Sequence, residues 1–434
     1  MHFRDLYRDP SIWSNIVLIG LGAVGAATTF AMFALAARCL GPERFGNFAT
    51  LFSALSFSSV AAVLGQETLI GRSWNEFAGG GKIHMAAGAL MFGLRNTLLG
   101  AALAAVAIAC VGYVQHLDPS FWTAAAALAF IQSVLLFSSS ASRSIAGVYT
   151  SAANFEITWR LATVVVLLLA LHVGYHIGEA DLMWLLSAGM GLAIAVQTGI
   201  AYRALPPNIE WSHLAFDTKT WGSRSIPMWG AALLEAANQY ADVILIGILV
   251  NPVVAGTYFV AARIASAFSK VTVATYALAA SRISLLYFNR SRGELVDFVC
   301  SLASFASGLV ALGLIAISLL GPYLLRIFGS IYANEFWTLF ILSIGTAAGA
   351  LSGPAPCMLL QTGHETLYTR LLAGGLLVRF LLLLLLAPML GALGAALAFT
   401  FASVSLCVAI NIACRRNVGI DPSIFCLFTR GAEI

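Results

Sequence analysis

The sequence predicts an all-α polytopic membrane protein of about twelve transmembrane helices, arranged as two pseudo-symmetric six-helix lobes around a central cavity. Three observations predict it. The 434 residues are 60% hydrophobic and only 10% charged, too apolar for a chain whose exterior must be wetted. A spanning helix needs about 20 mostly apolar residues, and the chain contains about twelve such runs. One sharp polar turn in the first half returns in the second.

In chain order, Arg4, Asp5, Arg8 and Asp9 alternate with Phe3, Leu6 and Tyr7, which predicts a short helix lying on the membrane surface. Spans follow at about 12–37, 45–71, 84–113, 120–142, 152–173 and 181–202. The first is too long for a signal-peptide core and is expected to be retained. Residues 1–203 then form an N-terminal lobe, and 204–224, with Pro206, Pro207, Asp217 and Lys219, a cytoplasmic linker. Residues 225–434 form a C-terminal lobe with spans at about 225–250, 254–281, 295–320, 334–361, 366–387 and 392–413.

The repeated turn reads LGPERFGNF at Leu40–Phe48 and VNPVVAGTYF at Val250–Phe259. Pro42, Gly46 and Phe48 answer Pro252, Gly256 and Tyr258, and the same offset carries Arg72 onto Arg282. Proline suits the first turn of a helix, where its missing N–H would have no partner, so each copy reads as helix, tight turn, helix.

Orientation follows from Lys and Arg. With the N-terminus cytoplasmic, fifteen fall on the inner side, three on the outer (Arg38, Arg44 and Arg326) and five within spans. That asymmetry predicts both termini inside. The net charge of +4 is then a topology signal, and nucleic acid is not an expected partner. Cysteines 39, 110, 300, 357, 407, 414 and 426 show no CxxC spacing and read as small buried hydrophobes without a disulfide framework.

Two motifs invite a functional reading. Gly20, Gly22 and Gly25 spell GxGxxG, with Glu43 about 20 residues on, as in a dinucleotide site. The apolar run continues to Ala37 without a polar face, so the glycines are better read as a close helix contact. His172 and His176, near Glu179 and Asp181, have metal-ligand spacing, but a solvated outer loop explains them as well. No Ser, His and acid set falls in a loop long enough for a hydrolytic pocket. The chain is therefore expected to be no enzyme, with no cofactor and no resident metal.

Charges inside spans are costly and normally face a wet cavity or a partner. Glu156 and Arg160 are spaced i, i+4 on the fifth span and suit an intrahelical ion pair. On the seventh span Glu235, Asn238, Gln239 and Asp242 share a face, as do Arg263, Ser266 and Lys270 on the eighth. Folding that hairpin about Pro252 predicts two rungs, Asp242 with Arg263 and Glu235 with Lys270. These are either a neutral brace or coupling groups in a cavity. Arg95 and Arg379 have no acid on their own helices. An always-charged fork suits phosphate oxygens, and snorkelling or a distant acid is the alternative.

LAARCLGPERFGNFATLFSAL with LIGRSWNEF, and NQYADVILIGILVNPVVAGTYFVAARI in the second half, resemble the polysaccharide transport family. That family holds O-antigen and exopolysaccharide repeat-unit flippases, within the multidrug, oligosaccharidyl-lipid and polysaccharide exporter superfamily. The resemblance implies alternating access and movement of an undecaprenyl-pyrophosphate-linked oligosaccharide between leaflets of the bacterial cytoplasmic membrane. It implies Arg95, Lys270 and Arg379 as headgroup ligands, Glu235, Asp242 and Arg263 as coupling or ion-pair residues, and H+ or Na+ as coupling ion. Membrane lipid and polysaccharide polymerase or assembly proteins are its implied partners. The nearest rival is a cation-coupled drug exporter of the same superfamily. Such exporters resemble one another in a first-helix carboxylate, which residues 12–37 lack. A membrane polymerase or ligase would need a large basic outer loop, and the outer loops near 114–119, 174–180, 251–253 and 388–391 hold no Lys or Arg.

Overall fold

In the computed structural model the described residues are 10–207, 209–269, 292–352 and 354–422, with isolated positions between 270 and 291. They form helices throughout: α1 (Pro10–Leu40), α2 (Pro42–Val63), α3 (Gln66–Gly79), α4 (Ile83–Val114), α5 (Pro119–Ala146), α6 (Val148–Ala153), α7 (Trp159–Val173), α8 (Glu179–Ala204) and α9 (Thr218–Leu249). Beyond these come α10 (Pro252–Ala265), α11 (Arg292–Phe328), α12 (Phe336–Leu351), α13 (Ala355–Gln361) and α14 (Glu365–Asn417). A π turn, Asn154–Thr158, joins α6 to α7, and a 3-10 turn, Ser330–Glu335, precedes α12.

Ten described helical segments are long and apolar enough to cross a membrane, and α12 with α13 makes an eleventh, bent by 42°. The twelfth predicted span lies within α14. At 53 residues α14 would be about 80 Å long if straight, against about 30 Å of hydrocarbon. It folds back at Gly391, whose φ of 59° no ordinary helical residue adopts. A Cβ on Gly375 would lie 3.2 Å from Leu406, and one on Gly394 would lie 2.1 Å from the Leu386 carbonyl. These contacts pair residues on either side of the bend, so α14 is an antiparallel hairpin of the eleventh and twelfth spans. The surface helix expected before residue 10 lies outside the described residues.

The chain divides into two compact units, Met1–Ile244 and Leu245–Ile434. In the first, α5 packs against α2, α3, α4 and α8, while α1 packs on α7 and α2. Serine hydroxyls satisfy backbone carbonyls along the α2–α5 seam: Ser59 donates to Ala129 O at 3.1 Å and Ser133 to Ser59 O at 3.3 Å. The polar stretch after α8 is seated on this unit. Ala215 N donates to His84 O at 3.4 Å, and Trp221, fully buried, meets the rings of Phe92 at 5.5 Å and Phe77 at 6.2 Å. Trp221→Ala is expected to cost about 3–5 kcal/mol. A clear fall in thermal midpoint of the detergent-purified protein checks this.

In the second unit α12 packs on α14, α11 and α10, and α13 on α14. Its inner core gathers Leu295, Val299, Met358, Leu359, Ile410 and Cys414.

Both copies of the repeated turn take the expected form. Pro42 opens α2 and Pro252 opens α10, whose Asn251 side chain accepts from Val254 N at 2.8 Å. Gly46 and Phe48 are buried in one copy, Gly256 and Tyr258 in the other, so each turn locks one aromatic into its own unit. Arg282 lies outside the described residues. One expectation fails: Cys300 is disulfide-bonded, whereas Cys39, Cys110, Cys357, Cys407 and Cys414 are free. The pairing required proximity that cysteine spacing alone does not encode.

Candidate functional site

The first unit carries an ion pair on its fifth span. Glu156 lies in the π turn, where the backbone widens to i→i+5 pairing. Arg160, one turn on, donates from Nη1 to Glu156 Oε2 at 2.9 Å, as the i, i+4 spacing predicts. Both side chains are largely buried, with 13% of Arg160 and 27% of Glu156 exposed. The guanidinium lies over the Trp159 ring, 4.6 Å from its centre. α1 closes against the pair at Gly25, where a Cβ would sit 2.9 Å from Glu156 Oε2. Of the three glycines in GxGxxG, Gly25 makes the close helix contact; Gly20 and Gly22 have nothing within 4 Å. α1 runs unbroken through all three, so the strand and turn of a dinucleotide site are missing there.

A second polar group joins α5 and α8, where Gln197 Nε2 donates to the Ser138 hydroxyl and Ser142 to Gln197 O. Buried Asn, Gln and Ser pairings of this kind tie helices together in hydrocarbon. Arg95 on α4 is exposed and stands 5.9 Å from the Phe92 ring centre. On α9, Glu235 and Gln239 are exposed, whereas Asp242 is buried. One helix face thus divides into an exposed end and a buried one.

In the second unit Arg379 is buried at 6% exposure, its guanidinium 4.5 Å from the centre of the Phe399 ring across the α14 hairpin. Phe399 reaches that position because Gly345 of α12 carries no side chain: a Cβ there would lie 2.8 Å from the ring. Thr400 pins the same turn by donating to Ile341 O at 2.7 Å. Arg263, half-buried on α10, lies over Phe259 at 4.7 Å.

Of the two predicted rungs, Glu235–Lys270 ends on a residue outside the described set. Asp242 and Arg263 belong to different units, as do Arg95 and Arg379. What sequence reasoning missed is the π turn, which has no residue signature, and the Ser138–Gln197 link. Buried polar residues on facing spans were the available signal for the latter. His172, His176, Glu179 and Asp181 form no cluster of three metal-ligating side chains, and none occurs among the described residues. Asp181 instead caps α8, accepting from Gly178 N at 2.9 Å. A depression of about 420 Å³ opens beside it, lined by Arg44, Asp118, Phe121 and Glu179, and includes none of the candidate headgroup residues.

No protein-family profile matches the chain, and no curated protein does. Solved structures do. The chain is similar to an inward-facing multidrug resistance MATE family transporter of the MOP superfamily, with TM-score 0.70, 12% identity, 93% of this chain and 98% of that one covered. An outward-facing structure of such a transporter matches with TM-score 0.64 and 13% identity over 93% of this chain and 94% of that one. A MOP superfamily transporter from Pyrococcus furiosus, described as having a binding pocket of reversed polarity, matches with TM-score 0.63 and 12% identity over 93% and 94%. At such identities the likeness shows the fold: the chain has the helical architecture of MATE transporters.

Proposed function

We propose that this chain, with the fold of MATE transporters, is a flippase. It moves an undecaprenyl-pyrophosphate-linked oligosaccharide from the inner to the outer leaflet of the bacterial cytoplasmic membrane, with both its termini on the cytoplasmic side. The observation that carries this is Arg379, a permanent cation buried in a hairpin of two apolar spans. Charges in hydrocarbon face a partner, a water-filled cavity or a substrate path, and a guanidinium suits a pyrophosphate better than it suits a cationic drug. The sequence resemblance to polysaccharide transport proteins points the same way. Arg95 and Lys270 are the other proposed headgroup contacts, and Glu235, Asp242 and Arg263 the proposed coupling residues.

A second reading, a cation-coupled multidrug exporter, is favoured by the likeness to multidrug resistance transporters. Against it stands the first span, which has no Asp or Glu from residue 12 to residue 37.

Reconstitution separates the two. Vesicles holding the protein and a fluorescent undecaprenyl-pyrophosphate oligosaccharide are expected to expose the inner-leaflet label to an external quencher far faster than protein-free vesicles. Equal rates, together with dye efflux driven by a sodium or proton gradient, would instead establish the exporter.

A further inference from the structure

We infer that the π turn of the fifth span is a monovalent-cation site whose occupant is the protein's own Arg160. Three oxygens converge on Arg160 Nη1: Glu156 Oε2 at 2.9 Å, the Phe155 carbonyl at 3.2 Å and the Glu156 carbonyl. One carboxylate and two carbonyls form a hard oxygen donor set, the kind that holds cations without nitrogen or sulfur ligands. The two carbonyls belong to the π turn, where the wider backbone pairing changes which acceptors face inward.

The contact is a seat for a point charge rather than a fork on a carboxylate. Only Nη1 reaches the oxygens, and Arg160 Nε, equally buried, has no hydrogen-bond partner among the described residues. A bidentate pair would have used both edges of the guanidinium. The seat is also largely covered. Gly25 brings α1 against Glu156, and Thr29 Oγ1 donates to Gly25 O at 2.6 Å, holding that stretch of α1 helical. The Trp159 indole covers the guanidinium and itself donates to Phe155 O at 2.8 Å. Tyr240 of α9 is the further titratable group that interacts electrostatically with Arg160.

The charge count selects the ion class. One carboxylate balances one positive charge, so a divalent ion would leave a net charge in hydrocarbon. With the guanidinium gone, the carboxylate must find another cation or take up a proton. Sodium or potassium fits the first of these. This inference is independent of the flippase reading, since its readout is ion binding and not transport.

The test uses the full chain in detergent above neutral pH. Its thermal midpoint is measured in sodium or potassium chloride against N-methylglucamine chloride at equal ionic strength, and radioactive sodium binding is measured directly. Wild type is expected to show no sodium-specific shift and no sodium bound at Glu156. Arg160→Met, which keeps much of the side-chain volume, is expected to bind about one equivalent, with a saturable rise in midpoint as ligand linkage requires. Arg160→Met combined with Glu156→Gln is expected to lose both. An Arg160→Met protein indifferent to sodium and potassium overturns the proposal, because the carboxylate is then neutralised by a proton alone. So does wild-type sodium binding that Glu156→Gln abolishes. If Arg160→Met is recovered in neither salt while the double variant is recovered normally, the oxygens do not accept an ion and the proposal also fails.

Discussion

Arg379→Met is expected to slow flipping about 10- to 100-fold, while the detergent-purified protein keeps its chromatographic profile. A hydrogen bond to a charged partner contributes about 1.5–3 kcal/mol, and each 1.4 kcal/mol is about tenfold in rate or affinity. The loss should be large because Arg379 sits at 6% exposure, fixed against the Phe399 ring, and methionine supplies neither a charge nor a donor in its place. Arg379→Lys is the informative companion. Lysine restores the charge but neither the planar fork nor its stacking on the ring, so only partial recovery is expected. Measurement is by quencher accessibility of the labelled lipid in proteoliposomes. A folded Arg379→Met protein that flips at the wild-type rate would remove this residue from the headgroup site and leave it a packing group.

The second large effect is on stability. Gly88→Ala is expected to destabilise the first unit by about 3 kcal/mol, at the upper end of what overpacking normally costs. A Cβ on Gly88 would sit 1.9 Å from the Ala215 carbonyl oxygen and 3.0 Å from its carbon. Those are backbone atoms, so no side-chain rotation relieves the clash, and the segment before α9 must lift off α4. Gly191→Ala in α8 is the control. Nothing lies within 4 Å of its Cβ, so the substitution removes a helix-weakening glycine and is expected to be neutral or stabilising by up to about 1 kcal/mol. Thermal midpoints compared in one detergent check both. A Gly88→Ala protein as stable as Gly191→Ala would mean the 215 region does not dock on α4.

The contrast between these glycines shows where sequence reading stops. Gly25, Gly88 and Gly191 are indistinguishable by local context, since each sits in an apolar helical run. What differs is whether another segment arrives within a methyl's reach, and that segment is 131 residues away for Gly25 and Glu156. Arg95 and Arg379 repeat the lesson for charge. Both lie well inside apolar runs, yet one is exposed and the other buried. The i, i+4 pairing of Glu156 with Arg160 was legible because one helix supplies both partners. The π turn that gathers carbonyls around the same guanidinium was not.

The sequence by itself determined the solvent, the helical class, the approximate course of most spans and the twin proline turns, although the second span, read as 45–71, breaks after Val63. These depend on apolar length and on the backbone preferences of Pro and Gly, quantities set within one or two turns of chain. Only the tertiary structure decided that the polar stretch before α9 is seated on α4, that Gly25 alone of the three GxGxxG glycines meets another helix, and that Arg379 is buried while Arg95 is not. Each of those outcomes depends on which distant helix occupies the neighbouring space, and burial is a property of the neighbours rather than of the residue.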